Sequence, residues 1–145
     1  RWQKGIGRAK MTPYREVLLQ AKDALEMKFP GVEIVLGPRQ LAKQFPCLAL
    51  SIAPSEGRAT TIGGGRESII GLTISVLSRD YQGREQGYLA LADIISRIEE
   101  EATEPTFLPS YLVRHVETNF SLEPFYHENQ FVLQGAVGLQ VEVEN

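Results

Sequence analysis

From Phe131 to Val143 apolar side chains occupy odd positions (Phe131, Leu133, Val137, Leu139, Val141, Val143), while Gln134, Gln140, Glu142 and Glu144 take even ones. This period of two predicts a strand of about thirteen residues, roughly 40 Å long, with one apolar and one wet face. Gly135 and Gly138 interrupt it, and glycine inside a strand marks a bend, a bulge or a close backbone approach. The rest of the chain must cover the apolar face.

Upstream the period switches between helical and extended. Thr12-Pro13 predicts a helix start, with threonine as N-cap and proline at the first helical position. Tyr14, Val17, Leu18, Ala21, Leu25 and Lys28 or Phe29 then form one stripe to about Met27, stopped by Pro30-Gly31. Glu33 to Leu36 reads as a short strand turned by Gly37-Pro38, and Cys47 to Ile52 as an inner strand with Leu48, Leu50 and Ile52 on one face. Ile69 to Leu77 alternates with Ile70, Leu72, Ile74 and Val76 on one side, and Arg79-Asp80-Tyr81 ends it. From about Gln82 to Ala102 the spacing is helical again, with Tyr88, Leu91, Ala92, Ile95 and Ile98 as the stripe and Leu89 and Ile94 widening it. Tyr111 to Leu122 is read as a strand with Leu112, Val116, Phe120 and Leu122 inward, His115 on the opposite phase, and a hairpin tip over 123–129. The expected fold is α+β: a mostly antiparallel or mixed sheet of four to five strands with two helices packed on one face.

At 145 residues the chain is one domain long. Residues 11–145 are expected to form a single α+β domain, and 1–10 a basic extension without fixed structure. That extension has two readings, a basic arm for nucleic acid or an acidic partner, and an upstream segment ahead of a start at Met11. No apolar run approaches the roughly 20 residues that span a bilayer, so no membrane insertion is expected. A formal charge of −3 argues against wholesale nucleic-acid binding, which needs a basic field. With one cysteine and no signal-peptide pattern, synthesis in a reducing, intracellular compartment is expected.

Candidate chemistry is sparse. Residues 54–66 (PSEGRATTIGGGR) combine small and polar residues with three glycines, but a P-loop needs Lys-Ser or Lys-Thr and a helix after them, whereas Arg66-Glu67 leads into a strand. A long, mobile hairpin connection suited to protein contact is the better reading. Cys47 is expected to be packed in the core, because no His or positive charge lies near it in sequence to make a reactive thiolate. His115 and His127 lack zinc-motif spacing, and Glu99, Glu100 and Glu101 read as a solvated face. There is no Gly-x-Ser-x-Gly elbow and no dinucleotide fingerprint. No catalytic, cofactor-binding or metal-binding residue is therefore expected.

One resemblance covers residues 12–144. The long strand running through SVLSRDYQGREQGYLALADIISRIEE into an amphipathic helix, with two later strands closing on GAVGLQVEVEN, resembles the small tail-terminator (tail completion) proteins of long-tailed bacteriophages and related minor capsid or neck proteins. The resemblance implies a structural virion protein without enzymatic activity, made in the host bacterial cytoplasm. It implies a ring, commonly hexameric, that ends tail-tube growth and joins the tail to the head connector. Its partners would be further copies of itself, the tail tube protein and head connector proteins. Arg58, Ile62, Arg66, Arg79 and Asp80 are the interface candidates, since arginine offers a planar fork to carboxylates and is enriched at interfaces. The alternatives are a small α+β enzyme or ligand-binding domain with a sheet-lined pocket near His115 and Cys47, and a monomeric adaptor.

Overall fold

The computed structural model of the chain describes residues 13–38, 41–54, 58–59, 66–79, 84–120, 125–127 and 130–144. The elements are helix α1 (Tyr14–Lys28), strands β1 (Glu33–Leu36), β2 (Cys47–Pro54), β3 (Arg58–Ala59) and β4 (Arg66–Arg79), helix α2 (Arg84–Ala102), and strands β5 (Leu112–Phe120), β6 (Phe125–His127) and β7 (Gln130–Glu144). Five strands form an open sheet in the order β1-β2-β4-β7-β5. β1 runs parallel to β2, and the other neighbours are antiparallel. The short strands prolong two hairpins, β3 beside β4 and β6 beside β7. This is the α+β architecture that alternation and the two helical stripes predict.

Both helices cover one face. Val17, Ala21 and Leu25 of α1 and Leu91, Ile95 and Ile98 of α2 share one core with Leu48, Leu50, Ile70, Leu72, Ile74, Val76, Leu133, Val137, Leu139 and Val141. The register explains the match: Ile70, Leu72 and Ile74 of β4 lie opposite Val141, Leu139 and Val137 of β7, and residues directly opposite each other share a face. The described odd-numbered side chains of β7 therefore face the helices; those of Phe131 and Val143 lie outside the described ones. Gly135 allows the closest approach. A Cβ there would lie 2.4 Å from Ile95 Cδ1 and 2.9 Å from the Asn119 carbonyl oxygen, so Ile95 of α2 can sit over this point of β7 only because the strand has no side chain there.

Three expectations need correction. Thr12 lies outside the described residues, and Pro13 does not open α1: its ψ of 57° is not helical, the helix starts at Tyr14, and no side chain caps it. The Pro13 carbonyl still accepts the Val17 N–H at 3.0 Å. In β5 the inward set holds for Phe120 but not for Leu112 and Val116, because a bulge between His115 and Glu117 inserts Val116 and resets the phase. Val113 and His115 before the bulge, and Thr118 and Phe120 after it, lie opposite helix-facing positions of β7, whereas Leu112 and Val116 are 54% and 51% exposed. Phe120 reaches back to α2, its ring centroid 5.8 Å from that of Tyr88. Leu122 lies outside the described residues. Tyr88 and Leu89, placed in the apolar stripe of α2, are exposed, and its buried face is Leu91, Ile95, Ile98 and Ala102.

Among the described residues the opposite face of the sheet is covered only in part. Ala42 and Phe45 of the β1–β2 connection pack on Cys47, Leu77, Val132 and Val35 to make a second, small core. Beyond it that face carries Ser51, Gly71, Thr73, Ser75, Ala136, Gly138 and Gln140, which the pairing of β2, β4 and β7 brings side by side. Gly37, at φ 115°, starts the covering connection in a conformation that favours glycine, and its N–H donates to the Leu50 carbonyl at 2.8 Å. No helix among the described residues is long and apolar enough to cross a membrane.

Candidate interaction site

The interface candidates do not form one patch. Arg58 and Arg66 lie where β3 pairs with β4, opposite Glu67 and Ala59, while Arg79 is the last residue of β4, opposite Val132. Along a strand of 14 residues those two groups are roughly 40 Å apart. Ile62 and Asp80 lie outside the described residues, as do 55–57 and 60–65 of the glycine-rich connection. Arg79 borders a cleft of about 510 Å³ between the end of β4 and the first half of α2.

Cys47 and His115 lie on opposite faces of the sheet, which removes the pocket imagined between them. Cys47 packs in the small core, while His115 pairs with Leu139 on the helix side, three strands further on. Burial, followed by the charge and hydrogen bond of Glu33, pushes the Cys47 thiol up to about 12. It is therefore a neutral, enclosed thiol at physiological pH, as the expectation of core packing requires. The neighbouring Glu33 has a structural task. Its Oε1 accepts the backbone N–H groups of Lys43 and Gln44 at 2.7 and 3.0 Å, anchoring the connection that covers the small core. Burial raises the Glu33 pKa, but those two N–H donors, the Cys47 thiol and the Lys43 charge together outweigh it and hold the carboxyl below its usual range.

A polar cluster joins β5 to α2. The Thr118 hydroxyl donates to Glu99 Oε2, so it can only accept from His115, whose Nε2 lies 2.7 Å away. His115 Nε2 is itself 3.6 Å from Glu99 Oε2. Sequence reasoning missed this cluster because it placed His115 on the outward phase, and the bulge that puts His115 on the same face as Thr118 leaves no mark in the alternation. The acidic run is accordingly not a merely solvated face. Glu99 holds Thr118, Glu101 lies 3.6 Å from the Lys28 ammonium, and the Thr103 hydroxyl donates at 3.1 Å to the carbonyls of both Glu99 and Glu100. Arg97 completes the helix pair, its Nη2 2.6 Å from the Lys28 carbonyl and its guanidinium 4.3 Å over the Phe29 ring. At the other end of α1 the Tyr111 hydroxyl donates to Glu16, and burial followed by that bond and charge raises the phenol to about 12. Among the described residues no three His, Cys, Asp or Glu side chains converge as metal ligands.

The sheet ends, among the described residues, in two edges, β1 and β5. Among the described residues β5 pairs only with β7 and β1 only with β2, so each leaves one side of its backbone without a strand partner. β5 is nine residues long, and its exposed side chains mix Leu112 and Val116 with Glu117 and with Arg114, whose Nε is 3.0 Å from Glu142 Oε2. Near the other edge Leu41, half exposed, sits against the Gly37 turn that follows β1. Compared with known proteins, the chain matches no protein-family model and no curated protein sequence.

Proposed function

We propose that the chain is a structural virion component that joins copies of itself into a closed ring at the end of a phage tail tube, stops tube growth and presents a surface to the head connector. The observation that carries this reading is the open sheet with two unlike edges at opposite ends of the strand order. Contact between unlike edges is head-to-tail, and a head-to-tail contact whose rotation closes generates a ring. Edge β5 offers backbone donors and acceptors together with Leu112 and Val116, and the β1 edge has Leu41 beside it. The resemblance in element order to tail-terminator proteins points the same way. Catalysis has no part in this reading: Cys47 is enclosed and neutral, and the Thr118 hydroxyl is tied between Glu99 and His115.

The test is a phage with a stop codon in the gene for this chain, its lysate viewed by electron microscopy. Overlong or unattached tails are expected. Tails of normal length joined to heads would remove the proposal.

A further inference from the structure

The cleft at the end of β4 has the chemistry of a ligand site, independently of whether the chain assembles. It is lined by Pro46, Ala90 and Ile94 on its apolar side, by Ser78, Arg79 and Gln86 on its polar side, and by Gly87. Ser78 is the telling residue. It lies opposite Leu133, on the helix side of the sheet, and is only 5% exposed. Its hydroxyl has no hydrogen-bond partner among the described residues, and a desolvated hydroxyl left in that state is a standing cost to the fold that an acceptor in the cleft would remove.

The surroundings define the acceptor. Arg79 brings a planar, permanently charged fork, and Gln86 an amide. The first turns of α2, a helix of 19 residues, bring the positive end of its macrodipole to the same place. Gly87 is buried and has no side chain, so backbone lines the cleft directly there. Among the described lining residues Arg79 is the cation, and Pro46, Ala90 and Ile94 suit an apolar body beyond the charge. A volume of about 510 Å³ exceeds what a single bound ion needs and falls in the range of small-molecule sites. We propose that this cleft binds a carboxylate carried on an apolar body, with the carboxylate held by Ser78, Arg79 and Gln86 and the body laid along Ala90, Ile94 and Pro46. The same chemistry is offered by a free aryl or alkyl acid and by the carboxyl end of a polypeptide with an apolar last residue.

The experiment is an amide and methyl NMR titration of the whole chain at neutral pH with hydrocinnamate, and in parallel with N-acetyl-glycyl-phenylalanine, each against its carboxamide. Saturable shifts are expected at the Gly87 amide and the Ile94 methyls. The better acid should bind roughly tenfold or more tightly than its amide, as a charge-assisted contact requires. Whichever acid binds more tightly identifies the source, free acid or chain end. Arg79→Gln should erase the difference between acid and amide, and Ser78→Ala should weaken the acid several-fold. Ala90→Phe, at an exposed helix position, should block both ligands while leaving the melting temperature close to that of the parent. Equal binding of acid and amide, unchanged binding in Ala90→Phe, or no saturable shift with either acid up to about 10 mM would overturn the proposal.

Discussion

The two faces of the sheet share the same strands and obey different rules. Towards the helices, β4 and β7 present Ile70, Leu72, Ile74, Val137, Leu139 and Val141, all fully or almost fully buried. On the other side the residues between them are Gly71, Thr73, Ser75, Ala136, Gly138 and Gln140, and among the described residues Ala42 and Phe45 give an apolar cover at Cys47, Leu77 and Val132. The first face is a core that must be filled by bulky side chains in register. The second is built mainly of small residues, held in place by the pairing rather than by packing. Folding depends on the first face. In the proposed ring, the edge of β5 that has no strand partner among the described residues is where the next copy would be met.

Substitutions can break or sharpen that contrast. Leu139→Asp should have the largest effect, several kcal/mol from an unpaired buried charge, enough to unfold a marginal domain; a parent-like thermal melt would contradict the assignment of the core face. Gly135→Ala forces a Cβ into Ile95 and should cost about 1–3 kcal/mol, read as a lower urea midpoint with an unchanged slope. Thr118→Val removes the hydroxyl that links Glu99 and His115, and should cost about 1 kcal/mol in the same assay. Glu33→Gln tests the cover of the small core. A carboxyl whose folded pKa lies below its ordinary value of 4.5 adds stability that is present above that value and lost as the pH falls through the folded pKa. The parent should therefore lose stability relative to the glutamine variant on acidification below that value, by less than about 1 kcal/mol because Glu33 is only partly buried. Leu112→Asp should change the stability of the free chain least, within about 0.5 kcal/mol, since that side chain is already half in water.

The parts legible in the sequence are those where one strong period runs without interruption. β1 occupies the predicted Glu33 to Leu36, the helix-facing sets of β4 and β7 follow their alternation, and both helices lie where the stripes place them. β5 was misread because Leu112, Val116 and Phe120 are spaced by four, which suits a flat strand facing one way, whereas the bulge at Val116 reverses the phase midway. The same reversal hid that His115 shares a face with Thr118. The small core was half legible: Cys47 was expected to be packed, but its cover comes from Ala42 and Phe45 in a polar, aperiodic stretch held by Glu33 across ten residues of sequence. The cleft had no signature, since Pro46, Ser78 and Ile94 meet only when strand and helix ends are brought together.

The proposal that copies of this chain meet through the β5 edge is tested most directly by hydrogen exchange of Leu112–Phe120 in the free protein and in rings assembled on tail tubes. Amides on the unpaired side of β5 should exchange quickly in the free chain and become protected in the ring, with the core strands β4 and β7 unchanged. Rings in which those amides exchange as fast as in the free chain would contradict it.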